Sequence, residues 1–298
     1  MHIIVSNNAS GVGAMGLRQL PLLVSRAIPE LAFQTVEEAD FIPDKRGKMK
    51  NYDVCLAFQR DLASSVDASL AEGTFTLNII GDHSAGIATV SAASQHAKNL
   101  GLVWIDAHTD INTPDTSMSG NIHGMPVAAL LHLFHDPLGN ILNKEQKINP
   151  RNIVYLGLRD VDPPEERILL EQGIRAYRYQ DILEQGLEHI LSEIAAYLGG
   201  CDRVHLSFDL DVLDPKDVPS VSVPVEQGLK PKEGVRILQT LLATLPVASV
   251  DLAEYNAALD QDEKGLRVLQ MLITSVYNFR KEPVYVSESH LCSPGRRI

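Results

Sequence analysis

The feature that most constrains the fold of this chain is a rhythm. Short runs rich in β-branched and apolar residues recur along it, separated by longer segments whose apolar residues repeat with helical period. The short runs are HIIVS (2–6), DVCLAF (53–58), FTLNII (75–80), GLVWID (101–106), NIVYLGL (152–158), RVHLSFDLD (203–211), VASVDLAEY (247–255) and VYVS (284–287). Between many of them lie GIATVSAASQHAKNL, PVAALLHLF, DILEQGLEHILSEIAAYL and GLRVLQMLITSVYNF. Strands separated in this way read as repeated βα units, so an α/β fold is expected: a three-layer α-β-α sandwich around a central, mostly parallel sheet. In the segment 181–198, Ile182, Leu183, Leu187, Ile190, Leu191, Ile194 and Leu198 suit packing against that sheet. No tandem repeat or Ser/Gly-rich linker interrupts the pattern, so a single domain over 1–298 is expected.

Polar residues gather just after these strands. Asp82 and His83 follow the third run, Asp106, His108 and Asp110 the fourth, and Arg159, Asp160 and Asp162 the fifth. Asp209, Asp211 and Asp214 then follow the sixth, and Glu254 and Asn256 the seventh. Sheets of this kind take ligands beyond the carboxyl ends of their strands, so the five clusters converge on one site. The stretch WIDAHTDIN (104–112) is the most telling. Alternating polar residues at a strand end are usually just solvated, but the lead-in GLVWI is apolar enough to lie inside a covered sheet. Three ionisable groups projecting from such a strand need water, partners or a metal.

Four carboxylates (Asp106, Asp110, Asp209, Asp211) and two imidazoles (His83, His108) balance two divalent cations electrostatically. Mn²⁺ suits this hard, carboxylate-rich mixture, with Zn²⁺, Fe²⁺ and Co²⁺ compatible and Mg²⁺ disfavoured by the imidazoles. The bland alternative is a set of solvated strand-end acids with two hydrogen-bonded structural histidines. It holds well for any one residue and poorly for six at one edge. Asp214 reads as shaping the turn before Pro215.

Composition narrows the partners. With 38 acidic and 26 basic residues the formal charge is -12, which argues against nucleic acid as the main partner and favours cations. Cys55, Cys201 and Cys292 are widely spaced, without a CxxC, which fits a reducing compartment. No apolar stretch reaches membrane-spanning length and the start lacks the pattern of a secretory signal, so a soluble cytoplasmic protein is expected. GVGAMG (11–16) matches a dinucleotide-binding fingerprint, but the turn does not follow its strand directly. It reads as a flexible turn instead.

The motifs GDHS (81–84), DAHTDIN (106–112), SGNIHG (119–124), GLRDVDPPE (157–165), SFDLDVLDP (207–215) and AEYN (253–256) resemble, in order, those of the ureohydrolase family, most closely its arginase branch. The resemblance runs from about residue 75 to about residue 256, and the first 70 residues match poorly. It implies an arginase-like fold and two Mn²⁺ ions per subunit. One would be held by His83, Asp106, Asp110 and Asp209, and the other by His108, Asp106, Asp209 and Asp211, with Asp106 and Asp209 bridging.

The implied activity is hydrolysis of a guanidinium group by a metal-bridging hydroxide, giving urea and, from L-arginine, L-ornithine. A related guanidino or formimino substrate, or a weakly active metal-binding regulator, are the alternatives. Resonance makes the guanidinium carbon a poor electrophile, so the water must be activated and the leaving amine protonated. By resemblance, Asp110 accepts a hydrogen bond from that water, His123 shuttles protons and Glu254 pairs with the guanidinium. Asn112 and Ser119, helped by the loop around Ser117 and Asn121, would receive the α-carboxylate, and Asp162 and Glu165 the α-ammonium. Read singly, Asp162 and Glu165 are also plausible helix-start acids. A homotrimer or homohexamer is likewise implied.

Three departures stand out: Ile80 where the family usually has Gly, Ser222-Val223 in place of a Gly-Thr pair, and Ala257 where Pro is common. The first is expected to crowd the backbone near His83. The second removes a hydroxyl near the guanidinium pocket.

Overall fold

The computed structural model describes residues 1–44, 47–142 and 148–281. In chain order its elements are β1 (His2–Ser6), α1 (Leu20–Ala27), β2 (Gln34–Val36), α2 (Tyr52–Ala71), β3 (Thr76–Ile79) and α3 (Gly86–Gln95). There follow β4 (Leu100–Ile105), α4 (Pro126–Leu130), β5 (Ile153–Leu158), α5 (Pro163–Gln172), β6 (Arg175–Arg178) and α6 (Tyr179–Gln185). Last come α7 (Leu187–Leu198), β7 (Arg203–Asp209), α8 (Pro231–Thr244), β8 (Val247–Ala253) and α9 (Lys264–Lys281). The run expected as a strand at 284–287, and Cys292, lie outside the described residues.

The strands form one sheet in the order β2-β1-β3-β8-β7-β4-β5-β6, and every pair is parallel. Alternation along each strand feeds two cores, one per face. Val103 and Ile105 point to the layer that contains Leu20 of α1, Ile190 of α7, Leu238 of α8 and Leu272 of α9. Leu102 and Trp104 point to the opposite layer, with Leu62 of α2, Ile87 of α3 and Ala128 of α4. The expected three-layer α-β-α architecture is therefore present.

Four local expectations are corrected. The run DVCLAF is not a strand but the start of the 20-residue α2. Cys55, Phe58, Leu62, Ala63, Val66 and Leu70 are its buried positions, a helical spacing that becomes visible only over a window longer than six residues. The segment 181–198 is two helices broken at Gly186, whose φ of +85° suits only glycine well. The break turns Leu183 outward, where it is 60% exposed. Edge strands β2 and β6 have no counterpart among the runs: QTV is short, and RAYR carries two arginines as befits an exposed edge.

The fourth correction concerns GVGAMG, which is a packed segment lying against the ends of β3 and β8. A Cβ on Gly11 would come within 2.3 Å of Asp82 Oδ1, and one on Gly16 within 1.9 Å of Asn256 Oδ1. These glycines are spacers between the chain and its neighbours.

Candidate metal centre

The four central strands β3, β8, β7 and β4 end side by side, and all six expected ligands rise from three of those ends. His83 opens a short 3₁₀ turn after β3, Asp106 follows β4 directly, and Asp209 closes β7 with Asp211 in the 3₁₀ turn beyond it. All but His108 are buried. His83 Nδ1 lies 3.0 Å from Asp106 Oδ2, 3.0 Å from Asp209 Oδ2 and 3.2 Å from Asp110 Oδ2. His108 Nδ1 lies 2.9 Å from Asp211 Oδ2 and 3.6 Å from Asp106 Oδ1. His83, Asp106 and Asp110 form one cluster of metal-ligand spacing and Asp106, His108 and Asp211 another, so Asp106 belongs to both.

A divalent cation fits this arrangement better than protons do. A single imidazole N–H cannot serve three carboxylates, and His83 Nδ1, although buried, has no well-directed hydrogen bond to any of them. Burial first, and the neighbouring carboxylates second, push the acids at Asp110, Asp209 and Asp211 toward the neutral form, with Asp110 pushed up to about 7. Asp106 goes the other way: burial raises it, but the imidazoles of His108 and His83 close beside it outweigh that and hold it low. Acids crowded around imidazoles in this way lose their mutual repulsion when cations enter.

Side chains beneath the cluster fix its orientation. His83 Nε2 is 2.8 Å from Ser207 Oγ, and the His83 ring stacks on Trp104 with centroids 4.0 Å apart. Trp104 Nε1 donates to Asp106 Oδ2 at 3.0 Å. Sequence reasoning passed over Ser207 and Trp104, yet each stands two residues before an acid on the same strand. Period-two alternation therefore puts them on the same face as that acid.

Glu254 and His123 border the cluster. Glu254 has φ +69°, and its N–H donates to Gly81 O at 2.7 Å. Its Oε1 accepts from His83 N–H at 2.9 Å and lies 3.1 Å from His123 Nδ1, while its Oε2 is buried without a partner among the described residues. Burial lowers the His123 pKa, but the hydrogen bond and charge of Glu254 outweigh it and push it up to about 9.

These groups line a pocket of about 260 Å³ that opens toward Asn112, Ser119, Asn121, Asp162 and Glu165. All of the expected substrate residues thus meet in one cavity. Asn112 Oδ1 accepts from Thr116 Oγ1 at 2.7 Å, which turns its Nδ2 toward Asp162 Oδ2, 3.4 Å away. Asp162 is the N-cap of α5, and its N–H donates to Glu165 Oε2 at 2.9 Å. The helix-start reading of this pair therefore applies as well, and it is compatible with lining the pocket. Asp214 sits apart, accepting from Lys216 N–H at 3.0 Å in the turn at Pro215.

Of the departures, Ile80 is wholly buried in the core, and Val223 lines the pocket. Ser222 Oγ instead accepts from Asn256 Nδ2 at 3.2 Å.

The sequence profile of the Arginase family matches residues 13–277. The match thus takes in most of the first 70 residues, where only a poor resemblance to the family was expected. An arginase of Bacillus subtilis (strain 168) is 38% identical over 248 residues, covering 81% of this chain and 84% of that protein. The crystal structure of arginase from Bacillus cereus superposes with a TM-score of 0.84 at 33% identity, over 93% of this chain and 97% of that one. Entamoeba histolytica arginase in complex with L-ornithine gives a TM-score of 0.86 at 26% identity, with the same 93% and 97% coverage.

Proposed function

The chain belongs to the arginase family and is an arginase-type hydrolase, and from that premise we propose that it converts L-arginine and water to L-ornithine and urea with two Mn²⁺ ions. The observation that carries the reading is Glu254 Oε2, a buried carboxylate oxygen without a partner among the described residues, beside a cluster of four acids and two imidazoles. Burying a guanidinium requires a compensating charge, and Glu254 offers one at the right depth.

We assign one cation to His83, Asp106, Asp110 and Asp209 and the other to His108, Asp106, Asp209 and Asp211. When bound they supply Lewis acidity and make water a competent nucleophile near neutral pH. Every other task falls to the chain. Glu254 holds the guanidinium and, through its contact with His123, couples the binding of that cation to the state of the proton carrier. Asp110 accepts a hydrogen bond from the attacking water and so orients its lone pair toward the guanidinium carbon. His123 carries a proton between solvent and the departing amine, whose protonation prevents the bond from re-forming. Asn112, Ser119 and Asn121 receive the α-carboxylate; Asp162 and Glu165 receive the α-ammonium.

The test is urea release by the Mn²⁺-reconstituted protein from L-arginine, agmatine and 4-guanidinobutyrate, with metal content measured on the same sample. The expected result is about two metals per chain, L-arginine preferred by roughly tenfold or more in kcat/KM, and loss of urea release on chelation. Two bound metals without urea from any of these compounds would overturn the proposal. Val223, which gives the pocket an aliphatic wall, would then be the first residue to revert.

A further inference from the structure

The rim of the pocket poses an electrostatic problem. Among the described residues seven acidic side chains line the pocket and no Lys or Arg does; with Asp110, Asp209 and Asp211 assigned to the floor, Asp160, Asp162, Glu165 and Glu254 remain, so a substrate carboxylate approaches against a negative field even after cations balance the floor. Two cations stand one hydrogen bond away from lining residues: Arg159, whose Nη2 donates to Asp211 O at the floor at 2.6 Å, and Lys50 at the rim. Lys50 Nζ donates to Asn121 Oδ1 at 3.1 Å, and its N–H donates to Gly120 O at 2.8 Å. The neighbouring Lys48 is neutralised by an ion pair with Asp115, whereas Lys50 has no acidic partner among the described residues.

The segment bearing Lys50 is held at both ends. Gly120 lies against it so closely that a Cβ there would come within 2.9 Å of Lys48 O. On the other side Asn51, buried and in a left-handed conformation, donates from Nδ2 to Ser10 O at 2.8 Å. The backbone that carries Lys50 is therefore held in place, and its Nζ reaches Asn121 from there. Because the ammonium occupies Asn121 Oδ1, the amide must present its Nδ2 edge elsewhere, and that edge has no partner among the described residues. A polarised amide donor next to Ser119, backed by a full positive charge, is suited to a carboxylate.

We propose that Lys50 is a positioning residue for substrate selection: through Asn121 it makes the site favour guanidino compounds carrying a carboxylate at the end remote from the guanidinium over their decarboxylated counterparts. The inference rests on the arginase reading and deepens it. It also predicts where selectivity appears. Lys50 is remote from the reacting carbon, so it acts on KM and leaves kcat nearly untouched.

The experiment uses the Mn²⁺-loaded protein and its Lys50→Met, Lys50→Gln and Lys50→Arg variants. Steady-state kinetics with L-arginine and agmatine are paired with calorimetric binding of L-ornithine and putrescine, the same pair with and without a carboxylate. Lys50→Met and Lys50→Gln are expected to raise KM for L-arginine about five- to tenfold with kcat within about twofold, and to leave agmatine unchanged or improved. The ornithine-to-putrescine affinity ratio should fall by the same factor, and Lys50→Arg should restore most of it. Equal losses on both members of each pair would mean that Lys50 only staples the loop, and would overturn the inference while leaving the arginase reading intact. Unchanged ratios would do the same. A wild-type protein that binds neither L-ornithine nor L-arginine would instead remove the premise, and the inference with it.

Discussion

Two L-residues in the left-handed region frame the site at the smallest scale: Asp110 at φ +50° and Glu254 at φ +69°. Each costs roughly 1 kcal/mol or more of backbone strain, and each is held by a backbone bond, Val127 N–H to Asp110 O at 2.9 Å and Glu254 N–H to Gly81 O at 2.7 Å. The strain sets side chains where an extended strand would not. This geometry gives His123 and Asp106 different kinds of dependence. His123 contacts Glu254 at 3.1 Å and belongs to neither metal-spaced cluster, whereas Asp106 belongs to both. His123→Asn should therefore lower kcat by about 10²-fold or more with metal content unchanged. Asp106→Ala should lose metal and activity together. Elemental analysis beside urea release checks both, and equal loss of metal in the two variants would erase the distinction between carrier and ligand.

Among the elements, the segment between β1 and α1 does more than its glycine-rich sequence suggests. Asn8 Oδ1 accepts from Gly81 N–H at 2.8 Å, Asn8 Nδ2 donates to Asp82 O at 2.8 Å, and Gly11 N–H donates to Asp82 Oδ2 at 2.8 Å. Gly11 O also accepts from His123 N–H at 3.2 Å. One short loop thus holds both the turn that carries His83 and the turn that carries His123. Gly11→Ala should drive a methyl into Asp82, costing about 1–3 kcal/mol, and should lower kcat along with the melting temperature. An unchanged melting curve and rate would show that the turns do not depend on this loop. The role was not legible in the sequence, because the bonds join residues more than 70 positions apart. Ser207 and Trp104, by contrast, were within reach through strand alternation.

At the scale of the molecule, stability should carry the signature of one buried acid. Glu38 accepts from the N–H groups of Ala9 and Ser10 and from Ser10 Oγ. Burial first, and the nearby Asp82 second, push it up to about 7 from an ordinary 4.5, against the lowering effect of those bonds and of Arg18. Because the folded-state value lies above the unfolded one, the folded protein binds the proton more tightly between them. This contribution is complete below pH 4.5 and is lost as pH rises toward 7. Denaturant melts across that window should show wild-type stability declining relative to Glu38→Gln, with a slope of at most about 1.4 kcal/mol per pH unit. A constant difference between the two proteins would show that Glu38 titrates normally. No described helix is long and apolar enough to cross a membrane.

The sequence by itself determined the class of fold and the chemistry of the floor. Strand and helix periods are local properties, and six ligand-type residues at the ends of apolar strands have few other uses. It did not determine α2, whose opening residues imitate a strand, nor the edge strands, whose short polar runs are defined by a neighbour's hydrogen bonds. Above all it left open which strands would be adjacent. The tertiary structure decided that β3, β8, β7 and β4 lie together, so that His83, Glu254, Asp209 and Asp106 meet although the chain separates them widely. The physical reason is that covering both faces of a parallel sheet requires long crossovers. Those crossovers set the order of the strands, and the close contacts of Gly11 and Gly81 set the spacing of the ends of β1 and β3.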